Sequence, residues 1–105
     1  MQIVSYMLTN NREIIGIIVE GKEQETSISL KNVVGIVVSQ DPETGALKKE
    51  FAPLTMFAKD GEKGIRIDLP KASILFPYNL EPTLASAYTT FVTGVVAPPK
   101  PKIII

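Results

Sequence analysis

Cysteine, histidine and tryptophan are absent from this 105-residue chain. Without cysteine there are no disulfides, so a small secreted scaffold held by cross-links is excluded. Without cysteine and histidine there is no thiol nucleophile, no Ser-His-Asp or Cys-His arrangement, and no zinc site built on sulfur or imidazole. Charge of one sign is also lacking: eleven basic residues balance eleven acidic ones. Lys100 and Lys102 lie near the end, so residues 1–97 hold nine basic against eleven acidic groups. Bulk electrostatic attraction to nucleic acid needs the opposite balance, so any such binding must come from a local site. The first residues carry no positive segment ahead of an apolar one, and the uncharged stretch from Pro82 to Pro99 is too polar and too broken to span a bilayer. The expectation is a cytoplasmic protein with no membrane partner.

What is present suffices for one modest core. Apolar residues make up 45% of the chain. A domain of this length buries roughly 65% of the surface that its unfolded form exposes. Strand patterns and turns alternate through the first eighty residues. Ile3 to Leu8 is β-prone, and Asn10-Asn11 suits a tight turn because asparagine tolerates positive φ. Glu13 to Val19 is almost continuous in isoleucine and valine, the mark of a strand buried on both faces, and Gly16 is read as its bend point. After the polar loop Gly21 to Thr26, Ser27 to Val38 forms a long strand whose apolar phase slips between Asn32 and Gly35, which predicts a bulge. Asp41-Pro42-Glu43-Thr44-Gly45 is a turn, Leu47 to Ala58 the returning strand, and Asp60 to Gly64 another turn. Ile65 to Leu69 alternates apolar and charged residues, Pro70 to Ser73 makes a corner, and Ile74-Leu75-Phe76 begins a short last strand.

Five or six short strands so closely spaced point to an all-β barrel or sandwich. The barrel domain spans residues 1–80. Residues 81–95 form a C-terminal segment in which Leu84, Tyr88, Phe91 and Val95 share a helical face, with Pro82 in the first turn and Gly94 as a stop. Tyr88 to Thr93 is nevertheless β-prone, so the helix is expected over the first half. Residues 96–105 form a tail rich in proline and lysine that ends in three isoleucines.

Residues able to carry chemistry are few. Asp41, Glu43, Asp60 and Glu62 sit in turns, where acids cap and solvate, and no alternating aspartate spacing supports a metal. Gly61 and Gly64 are not followed by the lysine and hydroxyl of a phosphate-cradling loop. Lys48-Lys49 reads as a solvated strand face. Tyr6, Phe51, Phe57, Phe76 and Phe91 fall in apolar stretches and read as core, whereas Tyr78, between Pro77 and Asn79, is a candidate stacking surface for a base. No pair of acids is placed for acid–base work, so no enzyme activity, cofactor or metal is expected.

The order of these elements resembles the Sm/LSm family. Asn10-Asn11-Arg12-Glu13, the apolar strand with Gly16 at its centre, the loop, and Ser27 to Val38 resemble its first motif, and Ile65 to Phe76 resembles its second. The resemblance implies a five-stranded, strongly bent open barrel that joins a homo-oligomeric ring of about five to seven subunits and holds single-stranded RNA. Ile74, Leu75 and Phe76 would then form the subunit contact. Family members that bind uridine carry an Asp and an Asn in the loop before the third strand, where this chain has Gly21 to Ser27 with neither. The family's Arg-Gly corner aligns with Pro70-Lys71, and its N-terminal helix has no counterpart. The candidate RNA-binding residues are therefore Lys22, Gln24, Thr26, Lys71 and Ser73, of which Lys71 offers a cation and Gln24 an amide. The alternative is a structural or protein-interaction ring module that does not bind RNA.

Overall fold

In the computed structural model, residues 2–21, 24–55, 57, 59 and 64–94 are described. Six strands and one helix follow in the order β1 (Ile3–Leu8), β2 (Glu13–Ile18), β3 (Ser27–Gln40), β4 (Leu47–Pro53), β5 (Ile65–Pro70), a 3-10 turn (Lys71–Ser73), β6 (Ile74–Tyr78) and α1 (Pro82–Thr93). All pairings are antiparallel, in the order β4-β3-β2-β1-β6, with β5 also on β3. The expectation of a small, mostly β fold holds at that level. The strand count is six because β4 and β5 lie end to end along the same side of β3. Val34 to Gln40 pair with β4, and Ser27 to Val33 pair with β5.

The hand-over between the two falls at a bulge. Against β2, Ile15 faces Val34 while Ile17 faces Lys31. Two residues of β3, Asn32 and Val33, thus oppose Gly16 alone. Asn32 takes a left-handed φ of 52°, as bulge residues can when they are asparagine. The extra residue inverts the side-chain phase. Leu30 and Val33 reach one core with Tyr6, Leu8, Ile14 and Leu69, whereas Val34 reaches a second core with Ile15, Ile17 and Tyr88. This is the phase slip expected between Asn32 and Gly35. It explains how β2, with Ile14 and Ile15 on opposite faces and both fully buried, serves two cores at once.

The first core lies inside a curl of the sheet. On a flat sheet β5 and β6 would stand four strand spacings apart, about 19 Å. The link from Pro70 to Ile74 reaches at most about 14 Å, so the sheet curves to bring these strands together. Ile74 of β6 and Leu69 of β5 accordingly meet the same core. The second core lies on the outer face, under α1. Leu84 and Tyr88 are buried there, Phe91 and Val92 pack beside them, and the Tyr88 hydroxyl donates to the Asn32 carbonyl at 2.6 Å. Pro82 starts the helix. Gly94, with φ 69°, ends it and donates its N–H to the Thr90 carbonyl.

Three expectations differ in detail. The helix runs through the β-prone Tyr88 to Thr93 rather than stopping halfway, because Tyr88 and Phe91 gain a buried surface on the sheet that outweighs propensity. The strand begun at Leu47 ends at Pro53, not Ala58, and Leu54 is already a bend. Phe57 and Phe76 are not core residues: they are 97% and 46% exposed. The tail, residues 96–105, and the turn residues 60–63 lie outside the described residues.

Candidate nucleic-acid interface

Two segments far apart in sequence meet at one end of the curl. The chain leaves β2 through residues 19–26, and the Val19 N–H donates to the Ser29 carbonyl at 3.0 Å. Gln24 donates its N–H to the Ser27 carbonyl, and its Oε1 accepts from the Ser27 hydroxyl at 3.2 Å. Ser27 then pairs with Pro70 at the end of β5, and the Lys71 N–H donates to the Thr26 carbonyl at 2.9 Å. Of the five candidate RNA-binding residues, Thr26 and Lys71 are thus joined by backbone, and Gln24 stands two residues away. Ser73 belongs to the other end of the corner, where its carbonyl accepts from the Thr9 N–H at 2.9 Å, beside the β1–β2 turn. Lys22 lies outside the described residues.

Gln24, Thr26 and Lys71 are exposed, so the junction presents a lysine, an amide and a hydroxyl to solvent. Opposing charge is close in the chain: Glu20 and Glu25 lie in the same loop, and both are exposed. Two register steps in from the Ser27–Pro70 pair, Ser29 and Asp68 face each other across β3 and β5, and the Ser29 hydroxyl donates to the Asp68 carboxylate. Sequence reading passed over this pair. Its only signal was a polar residue on the polar side of each strand, Ser29 between Ile28 and Leu30 and Asp68 between Ile67 and Leu69.

Ile74, Leu75 and Phe76 form most of β6, which pairs on one side with β1 and on the other has no strand among the described residues. Ile74 packs against the inner core, and Leu75 is 57% exposed. The outer sides of β4 and β5 are likewise unpaired among the described residues. Tyr78 is half-buried, its ring 6.4 Å from that of Phe76. Burial, with the Glu13 carboxylate second, pushes its hydroxyl pKa up to about 12, so it stays neutral at physiological pH.

Among the described residues, no cluster of three or more acids could hold a metal ion, and no helix is long and apolar enough to cross a membrane. No family model matches the chain, and a search of curated proteins finds no match either.

Proposed function

We propose that the chain is an Sm-like subunit of a cytoplasmic homo-oligomeric ring of about five to seven copies that holds single-stranded RNA at the junction of the β2–β3 loop with the β5–β6 corner. The observation that carries this reading is the hydrogen bond from the Lys71 backbone N–H to the Thr26 carbonyl, which joins the corner that holds Lys71 to the loop. The element order and the two sheet edges left unpaired among the described residues agree with it. Repetition around a ring would gather several copies of Lys71 at one rim and concentrate positive charge that the neutral monomer conceals. Because the Asp and Asn of uridine-binding members are missing, base selectivity is weak and phosphate contact dominates.

A lysine beside phosphate acts largely through counterion release, so affinity falls steeply with salt. Titration of labelled oligo-U and oligo-A at about 50 mM salt tests the reading. Weak binding of both is expected, reduced strongly by Lys71→Glu and little by Lys48→Glu. Absence of binding, or equal loss in both variants, overturns the RNA site. It would favour the second reading, a ring module without nucleic acid, which draws on Glu20 and Glu25 beside the same loop.

A further inference from the structure

A cavity of about 260 Å³ opens on the outer face of the sheet, beside the start of α1. Ile36, Leu80 and Leu84 give it apolar walls, and Glu13, Lys49, Tyr78 and Glu81 also line it. We infer that this cavity binds a small primary alkylammonium ion, with its nitrogen against the Glu13 carboxylate and its chain against the apolar walls. Glu13 opens β2, at the end opposite the loop that meets Lys71, so the site is separate from the candidate nucleic-acid interface.

Charge selects the ligand. The Lys49 ammonium is held by Glu81 at 2.6 Å, and Arg12 turns to the Leu54 carbonyl at 3.5 Å, beside the inner core. Glu13 therefore forms no ion pair among the described residues, and the cavity lining holds two carboxylates against one ammonium. Glu13 is half-buried. Near it, the Tyr78 hydroxyl oxygen is closed off from solvent and makes no hydrogen bond among the described residues. The Ser5 hydroxyl cannot donate to it, because its proton goes to the Tyr78 carbonyl at 2.7 Å. A neutral occupant would take water from an unpaired carboxylate and give nothing back, which is strongly unfavourable. A cation removes that penalty. Size narrows the choice further: pockets for drug-sized molecules begin at about 300 Å³, so a nucleotide or an oligomeric ligand is too large. A metal ion takes several oxygen ligands, and no three acids gather among the described residues. A short alkylammonium meets every condition, giving N–H groups to Glu13 and methylene groups to Ile36, Leu80 and Leu84. Tyr78 is a positioning residue, whose free hydroxyl proton holds the carboxylate from behind.

Calorimetric titration of the full chain with n-pentylammonium, against 1-pentanol and pentyltrimethylammonium, tests the site. Saturable binding of pentylammonium is expected, with pentanol and the trimethyl ion each weaker by at least about tenfold. Glu13→Gln should weaken pentylammonium by at least about tenfold and leave pentanol unchanged. Tyr78→Phe should weaken it by about threefold without lowering the melting temperature of the ligand-free protein. Titration with Nα-acetyl-lysine N-methylamide separates two sources of the same ammonium: tighter binding than pentylammonium assigns a lysine of a partner protein, weaker binding a free amine. No saturation with pentylammonium leaves water as the occupant and overturns the site. Equal binding by Glu13→Gln, or by pentanol, overturns the charge argument. A lower melting temperature for ligand-free Tyr78→Phe shows that its hydroxyl already has a partner, and overturns its positioning role. Thermal melts establish that each variant is folded.

Discussion

Gly16 is where a single added group meets the least tolerance inside the inner core. A Cβ there would lie 3.0 Å from Val33 Cγ2 and 3.5 Å from both Leu30 Cβ and the Lys31 carbonyl oxygen. Val33 and Leu30 are fully buried and belong to one packed cluster, so neither can withdraw into solvent. Alanine at this position asks Val33 to move by a few tenths of an ångström, and the loss of chain freedom in the unfolded state offsets the strain by about 0.4–1 kcal/mol. Gly16→Ala is therefore expected within about 1 kcal/mol of the parent. Valine adds two further methyl groups to a site already full, and overpacking of this kind costs about 1–3 kcal/mol. For a domain of this size that corresponds to a fall in Tm of roughly 4–8 °C per kcal/mol. Circular dichroism melts of the parent, Gly16→Ala and Gly16→Val at equal concentration supply the comparison. A Gly16→Val protein that melts with the parent would show that β2 and β3 do not approach each other here, and would refute the reasoning.

Gly64 is expected to be less tolerant still. It has φ 92°, and a Cβ would fall 2.4 Å from the Asn32 carbonyl carbon, a backbone atom that cannot turn aside. Gly64→Ala should lower stability by at least about 1–3 kcal/mol, and an unchanged denaturant midpoint would contradict the contact. Tyr88→Phe removes the hydroxyl that meets the Asn32 carbonyl and should cost about 1 kcal/mol, read as a shift in Tm; no shift would mean the bond contributes nothing. Alkaline pH should destabilise the fold. Tyr78, whose hydroxyl titrates at about 12 in the folded chain against an ordinary 10.0, holds its proton more tightly folded than unfolded, and burial raises Tyr88 as well. Their contribution is complete below about pH 10 and is lost as pH rises through the folded values. Denaturant midpoints constant from about pH 9 to pH 12 would contradict this.

The parts of the fold legible in the residues were those set by local rules. Asn11 and Gly45 have the positive φ that their turns suggested, Pro82 and Gly94 bound the helix, and the unbroken apolar run of β2 meant burial on both faces. What was not legible depended on distant partners. Nothing near Pro53 tells that β3 hands its edge from β4 to β5 at Asn32, and nothing near Tyr88 tells that Asn32 will accept its hydroxyl. Phe57 and Phe76 read as core because they fall in apolar stretches, whereas Phe57 lies in a turn beyond the end of β4 and Phe76 on the edge strand β6. At the candidate site, only the family resemblance put the loop of Thr26 and the corner of Lys71 into one candidate set, since nothing local to either segment points to the other. The Ser29–Asp68 pair required the register of two strands that begin 38 residues apart.

The central claim is that this chain completes its sheet with copies of itself. Size-exclusion chromatography with light scattering at micromolar concentration measures that directly. The account predicts a single species of about five to seven times the 11.4 kDa chain mass, broken down by Leu75→Lys. A compact parent species of 11.4 kDa under the same conditions would contradict it.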